Sequence, residues 1–506
     1  MTITRRQWML GAAAGEAAGC GRGRHRSQAD TITVLNDQSE LSALGPDGTP
    51  AQYLVFLPLV AWNHRNELEG RLAESWDHSP DYRTWTVRLR DGIRWHDGVP
   101  VTAHDVKSTI DLFEHPDVLA FAPGSLDVEV IDDLTYGLTC HNQVLWGTPM
   151  DDVTVYYPKH LIEKMDPKQF WNWDFWTRPI GNGPYRHART VPQTMMHFQA
   201  SSDYYRGRPK IGNVVLKFGD SVLELLSGDV DASANLKRAD LLTLARDGRF
   251  QVYHQPSDTM AIAMLWNHRH PLFRDAYVRR ALTLAINRRE LFQTLNIPSD
   301  TPVIDAPTSK RQFRRRQVPA PIPHDLAQSN HLLDQAGWLR NQQGLRERDG
   351  TPFRFTVITD RSNDQDAAAV YIQSQLKRIG IRMDIQLFES VFARAVTGDY
   401  EAAINRFFTD WKPGNGPENF LAAAGYTNPR FSQLADLLKA PLAPEQEDSA
   451  YRDLAQLFQR DVPATFLYPR VLTTVAHRRI RGLENAAYPG DLTWCLDQLS
   501  LAEEEA

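Results

Sequence analysis

The stretch Leu72–Phe113, LAESWDHSPDYRTWTVRLRDGIRWHDGVPVTAHDVKSTIDLF, decides the fold. Within it Trp85, Val87 and Leu89 alternate with Thr84, Thr86, Arg88 and Arg90, the two-residue period of a strand with one buried face. Asp91-Gly92 then turns the chain, since glycine accepts the positive φ a tight turn can need. A second turn is expected at Asp97-Gly98. Beyond it Thr102 and Asp105 stand three apart, just ahead of Val106, Ile110 and Phe113. That is the pattern of a capping box opening an amphipathic helix. A hairpin feeding a helix is therefore predicted.

This order of pieces, with LAESW ahead of the hairpin and WHDG inside it, resembles the signature of the family 5 extracytoplasmic solute-binding proteins. These are the dipeptide, oligopeptide and nickel-complex receptors of ABC importers. Other words keep the resemblance along the chain. Pro179–Tyr185 (PIGNGPY) is similar to the family's PIGTGPY, Tyr204–Lys210 (YYRGRPK) to YWGGKPK, and Leu225–Asp231 (LLSGDVD) to LLSGEID. Met264–Asn267 (MLWN) stands where the family has LGFN, Arg279–Arg288 resembles VRQALSYAIDR, and Tyr468-Pro469 falls at a PLYY-like word. PIGNGPY is not a nucleotide loop, because Arg186 occupies the place of the third glycine of GxGxxG.

The resemblance implies an α/β, two-lobed periplasmic-binding-protein-like fold of type II, with an extra subdomain in the first lobe and the ligand enclosed between lobes. The expected division is 1–29 for an export signal and linker, 30–50 with 178–265 and 478–506 for the core of lobe I, 51–177 for the subdomain, and 266–477 for lobe II. Two or three lobes also suit a chain of 506 residues, which exceeds what one hydrophobic core serves.

Residue patterns add local expectations. Val128–Ile131 and Thr135–Thr139 bracket Asp132-Asp133 as a second hairpin, and Tyr53–Val60 is apolar enough to pack in a core. Trp171, Trp173 and Trp176 are read as core rather than ligand contacts. Ile297–Pro323, rich in proline and arginine without clear periodicity, is read as a surface excursion. Phe353–Thr359 is β-rich, Asp366–Ile379 is helical and ends at Gly380, and Ile381, Met383, Ile385 and Leu387 alternate as a strand. Strand, helix, glycine cap and strand predict a βαβ unit with parallel strands, and a ligand in such a lobe belongs beyond their carboxyl ends.

Composition excludes several classes of function. Lys and Arg number 56 against 62 for Asp and Glu, a net charge of -6, so no broad basic surface for nucleic acid is implied. No apolar stretch reaches the roughly 18 to 20 residues of a membrane helix. At the start, Thr4–Leu10 (TRRQWML) resembles a twin-arginine export signal, and Ala17-Ala18-Gly19-Cys20 resembles a lipoprotein box in which Cys20 would be lipidated. Glu16 and Ala17 depart from those patterns. A periplasmic location follows, with the membrane met only through the anchor. Cys140 and Cys495 then remain, and the sequence leaves both a disulfide and two free buried thiols open.

No enzyme is expected. Ser374 and Lys377 satisfy S-x-x-K, but they fall within the predicted helix without an accompanying SDN or KTG, so a serine hydrolase is the alternative of a different class. His96, Asp97, His104 and Asp105 are explained by a turn and a first helical turn, and neither a metal site nor a cofactor is assigned.

The candidate ligand segment is Asn405–Phe420. In peptide-binding members of the family a comparable segment supplies an acidic residue to the ligand's ammonium, and the resemblance places Asp410 there. An ammonium stripped of water in a closed cleft needs a buried counter-charge. Phe407 and Trp411 would flank it, and Arg406, Trp266 and Asn267 complete the candidate set. The expected ligand is a di- or oligopeptide, with a nickel or other metal chelate, a sugar or an opine as alternatives. The expected partners are an ABC permease and its ATPase, and the receptor is expected to be a monomer.

Overall fold

A computed structural model describes residues 30–36, 51–63, 67–80, 83–118, 126–141, 155–219, 222–234, 236, 238–309, 312–313, 315–409, 416–439, 442–486 and 492–502. The chain opens with strand β1 (Thr31–Asn36). A separate antiparallel sheet follows, built from β2 (Ala73–His78), β3 (Thr84–Leu89), β4 (Leu126–Val130) and β5 (Thr135–Cys140) in the order β2-β3-β5-β4. In β3 the residues alternate strictly between exposed and buried, as their two-residue period predicts. Helix α1 (Ala103–Phe113) opens as expected, the Thr102 N–H donating to Asp105 Oδ2 at 2.7 Å. The other Asp105 oxygen accepts the Lys159 N–H, so the capping residue also anchors the next short helix.

The chain then returns to β1 through β6 (Tyr185–Val191), β7 (Met195–Ala200) and β8 (Asn213–Phe218), with β9 (Ala232–Ala234) pairing on the other side of β1. PIGNGPY makes this return possible. The Gly183 N–H donates to Val55 O and the Leu57 N–H to Asn182 Oδ1, laying the turn flat on the backbone of 54–57. A Cβ at Gly181 would stand 1.9 Å from Val55 O, so only glycine fits.

Helix α2 (Arg238–Leu244) leads into β10 (Phe250–Trp266), a strand of 17 residues. The remaining strands are β11 (Arg354–Thr359), β12 (Arg382–Leu387), β13 (Ala402–Phe408) and β14 (Ala464–His477). Helix α3 (Gln365–Arg378) joins β11 to β12, and these two strands are parallel, completing the predicted βαβ unit. Apart from β2–β5, the strands named here form one ten-stranded sheet in the order β12-β11-β13-β10-β14-β9-β1-β8-β7-β6.

The sheet is continuous but the core is not. Ile32, Val34, Tyr185 and Phe198 pack in one cluster with residues from 51–177, so the subdomain and lobe I share a core. Lobe II has a cluster on each face of its strands: Ile262, Met264 and Trp266 on one, Ala261, Ala263 and Leu265 on the other. Strands β10 and β14 carry the chain between lobes. Their pairing is regular up to Pro256↔Val471, breaks, and resumes at Ala261↔Pro469. Proline cannot donate to a ladder, so a break bounded by Pro256 and Pro469 is where the shared strands are least tied together. Residues 261–265, expected in lobe I, pack in lobe II.

The reading of Ile297–Pro323 as a surface excursion is corrected. Thr301, Val303, Ile304, Ala306, Ser309, Phe313 and Ile322 are buried, and Ile304, Ala306 and Phe313 close one core of lobe II. Arg288 holds the segment down: it pairs with Asp305 and donates to the carbonyls of Ile304 and Ile322, and the Ile322 N–H reaches Asp305 Oδ2. A buried guanidinium and carboxylate satisfying one another can fix a segment that lacks periodicity. Trp176 is core, as expected, packed beside the buried Phe170, while Trp171, read as core, is exposed. Cys140 and Cys495 are buried thiols not joined in a disulfide.

Candidate functional site

Strand β13 aims the candidate segment at the place where the lobes meet. It pairs with β10 from Trp266↔Ala402 to Met260↔Phe408, and the next residue continues toward the crossing. The Thr409 N–H donates to Thr259 O at 2.9 Å, and its Oγ1 to Asp258 O at 3.2 Å. Asp410 and Trp411 lie outside the described residues, as does Cys20.

The other candidates separate. Phe407 is fully buried, its ring 5.0 Å from Phe466 and 5.5 Å from Phe420, so it packs lobe II and presents no face to a cleft. Arg406 is half-buried with its guanidinium 5.1 Å from the Phe392 ring centre. Trp266 and Asn267 are not brought to the segment. They sit at the opposite end of β10, six residues or about 20 Å from Met260. Trp266 is fully buried and donates to Thr465 Oγ1, and Asn267 braces a turn by donating to Tyr400 O at 2.7 Å.

What the structure does assemble at the carboxyl ends of β11 and β12 is a buried polar knot around Asp360. Its Oδ1 accepts from the Ser362 N–H, the Ser362 hydroxyl and the Gln365 amide, and its Oδ2 accepts the Val391 N–H at 3.0 Å. The register Ile358↔Ala403, continued two residues, sets Asp360 beside Asn405. Asn405 is fully buried, and neither atom of its amide has a partner among the described residues; Gln365 Oε1 is likewise unpartnered. Unpaired buried amide atoms cost about 1–3 kcal/mol each, so this is a place suited to an ordered water or a polar ligand group. The signal was present in the sequence: an asparagine stands mid-strand in AAINRFF, and a run of Asp, Ser and Asn follows β11.

A second interlobe feature is a cavity of about 590 Å³ lined by Leu241 and Leu242 of lobe I, Ile297 and Arg361 of lobe II, and His254 and Arg470 of the shared strands. Burial lowers the pKa of His254, whose Nδ1 lies 3.0 Å from Thr473 Oγ1. Among the described residues no His, Cys, Asp and Glu cluster could hold a metal.

Comparison with known proteins decides what this architecture is. Residues 67–429 match the model of the bacterial extracellular solute-binding proteins, family 5. The chain belongs to this family. Its relatives include the oligopeptide-binding protein AppA of Bacillus subtilis, 25% identical over 458 residues that cover 83% of this chain and 81% of AppA. Another is the periplasmic oligopeptide-binding protein OppA of Haemophilus influenzae, 22% identical and covering 85% and 86%. Among solved structures, the B. subtilis AppA complex with a nonapeptide superposes with a TM-score of 0.67 at 22% identity, over 94% of this chain and 99% of that one. NikZ of Campylobacter jejuni in complex with Ni(L-His) gives 0.71 at 20% identity, covering 94% and 100%. The fold is therefore that of the family 5 periplasmic binding proteins, a family of extracytoplasmic solute receptors. No helix among the described residues is long and apolar enough to cross a membrane.

Proposed function

We propose that this family 5 protein is the peptide-capturing receptor of an ABC importer. The observation that supports the reading is that Thr409, the residue directly before Asp410 in the sequence, is held at the lobe crossing by its hydrogen bonds to Thr259 and Asp258. A carboxylate there serves the ammonium of a di- or oligopeptide, and main-chain hydrogen bonds to the extended ligand supply most of the binding energy. Oligopeptide-binding relatives over four-fifths of the chain support the same ligand class. Arg406 stands one strand position short of Phe407 and lends positive charge nearby. Closure is a bend at the break between Pro256 and Ala261, and ligand shifts it by binding the closed state more tightly. The closed receptor hands its cargo to the permease, and the chain performs no chemistry. Export follows the twin-arginine route, with Cys20 lipidated.

Calorimetry with short peptides tests the assignment. Asp410→Asn is expected to weaken binding by about 1–3 kcal/mol, and N-acetylated peptides to bind as weakly to the wild type as free peptides bind to the variant. Equal affinity of wild type and variant for a free peptide removes Asp410 from the site.

A further inference from the structure

Lobe I carries a charge imbalance that peptide capture does not account for. From Arg178 to Lys217 the sequence holds seven Lys and Arg against one acidic residue, Asp203, in a chain whose net charge is -6. Three of these cations are neutralised: Arg186 by Asp203 at 2.8 Å, Lys217 by Glu224 at 3.1 Å, and Arg206 by Glu69. The side chains of the other four, Arg178, Arg189, Arg208 and Lys210, are exposed and make no hydrogen bond or ion pair with a described residue.

The four share the outer rim of lobe I. Arg189 lies on β6, the edge strand of the ten-stranded sheet and the one farthest from the strands of lobe II. Burial, then Arg178 and His197, lower the pKa of His187 to about 4, which sets the Arg178 charge beside the same strand. Arg208 and Lys210 occupy the connection from β7 to β8, and that connection receives the start of the chain: the Gly212 N–H donates to Asp30 Oδ1 at 2.6 Å and the Asn213 N–H to Asp30 O at 2.9 Å. At the opposite end of β6, Val191 is an exposed apolar residue in the hairpin to β7. A chain of net negative charge is repelled as a whole by an anionic surface, so it approaches one only with this rim leading. Cations spread along a rim, rather than gathered in a pocket, suit an extended layer of charge and not a single small anion.

We propose that the β6 rim of lobe I is a docking surface for an anionic lipid bilayer, with Arg178, Arg189, Arg208 and Lys210 over the phosphate headgroups. Asp30 stands ten residues beyond Cys20, at most about 35 Å of extended chain. A lipid on Cys20 therefore holds this rim, and not lobe II, within reach of the bilayer; that step rests on the lipidation proposed above, whereas the charged rim stands without it. An anchor of that length limits distance but leaves orientation open, and the rim supplies the orientation. Because the attachment is carried on lobe I alone, lobe II stays free to swing at the break between Pro256 and Ala261. Membrane docking and closure on a ligand then do not compete.

Flotation with lipid vesicles of the full chain carrying Cys20→Ser, which bears no lipid, tests it. Binding is expected to phosphatidylcholine vesicles containing about 30% phosphatidylglycerol at about 0.05 M salt, and its loss on pure phosphatidylcholine and at about 0.5 M salt, where screening is short-ranged. Arg189→Gln, Arg208→Gln and Lys210→Gln combined should weaken binding about 100-fold, roughly fivefold per charge. The same change of charge in lobe II, by Arg274→Gln, Arg315→Gln and Arg382→Gln, should weaken it far less. All six side chains are exposed, so the replacements leave the fold intact, and matching circular dichroism melts verify this. Failure to float with the anionic vesicles overturns the proposal and turns the search to an acidic protein surface. Flotation that the lobe I variant leaves unchanged overturns it, as does equal weakening by both variants, since binding then follows net charge and not the rim. Peptide calorimetry on the lobe I variant should match the wild type, so failure here leaves the receptor reading standing, and a receptor that binds no peptide but floats as expected has the opposite meaning.

Discussion

Replacing Asp360 by alanine removes an acceptor that joins two segments, 360–365 and the turn at Val391, and the cost can be worked bond by bond. Ser362 is exposed, so its N–H and hydroxyl turn to water at little loss. The Gln365 amide loses its 3.2 Å bond to Asp360 but keeps the 2.7 Å bond to Ser362 Oγ. The Val391 N–H, fully buried, loses its only acceptor among the described residues, at 3.0 Å. One buried donor wholly unpaired and a second partly so give a destabilisation of about 2–4 kcal/mol. Asp360→Asn keeps one carbonyl oxygen but turns an NH2 toward one set of donors, so about half that loss is expected. The chain has two lobes and need not unfold in one step, so a single global midpoint is a blunt measure. Hydrogen exchange read by mass spectrometry on peptides spanning 388–395 isolates the local effect: protection of Val391 should fall by a factor of 10 or more in the alanine variant and by less in the asparagine variant, a tenfold change being about 1.4 kcal/mol. Equal protection in wild type and Asp360→Ala would refute the idea that this carboxylate holds the loops at the cleft.

Two further outcomes follow from buried charge. Asp497 pairs with the buried Arg71 at 3.0 Å and accepts from the Tyr204 hydroxyl at 2.9 Å, joining the subdomain, lobe I and the C-terminal segment. Asp497→Ala strands the guanidinium and should cost about 3–5 kcal/mol in urea unfolding; a loss under about 1 kcal/mol refutes the staple. Burial also holds His96 neutral, its pKa lowered from 6.5 to about 4, while its Nε2 lies 3.1 Å from the Gly183 carbonyl. An unfolded chain takes up that proton from about pH 6.5 downward and the folded one does not until about pH 4. The contribution is therefore complete above pH 6.5 and lost as pH falls toward 4, by at most about 3 kcal/mol. His96→Gln should flatten the wild-type decline between pH 7.5 and 5, and parallel declines in both proteins would contradict this.

Local pattern carried the elements whose partners are close in sequence. The alternation of β3, the capping box at Thr102 and Asp105, and the βαβ unit of β11, α3 and β12 all rest on periods of two or 3.6 residues that a short window contains. Ile297–Pro323 defeated the same reading because its burial is decided by Arg288 and Asp305, a pairing that no periodicity announces. Trp266 and Asn267 failed differently. The family-like word MLWN is where it should be, but β10 is 17 residues long, so a word on the hinge strand can stand at either of two ends that serve different purposes. Phe407 alternates correctly and is simply on the core face. Asp360 reads as loop because a polar residue at a strand end usually is, and Asn405 enters only as the start of the candidate segment; the register that sets them side by side makes them a buried pair.

The hinge explains why the polar knot and the interlobe cavity belong in one account. A regular ladder through residues 250–266 would resist bending, because each hydrogen bond on the strand pair would have to distort together. Here the ladder between β10 and β14 stops at Pro256 and restarts at Ala261, leaving Ser257–Met260 tied on one side to β13 through Thr409 rather than to β14. The flexible point is thus clamped by the same strand that presents the candidate peptide segment. Moving a lobe equilibrium from 1:99 to 99:1 takes about 5.5 kcal/mol of differential binding. The interlobe cavity reaches the hinge through His254 and Val471, both on the lobe I side of the break, and Thr409 holds it on the other side. Because these contacts engage the hinge strands on both sides of the break, an occupant of the interlobe space bears on the bend from both lobes.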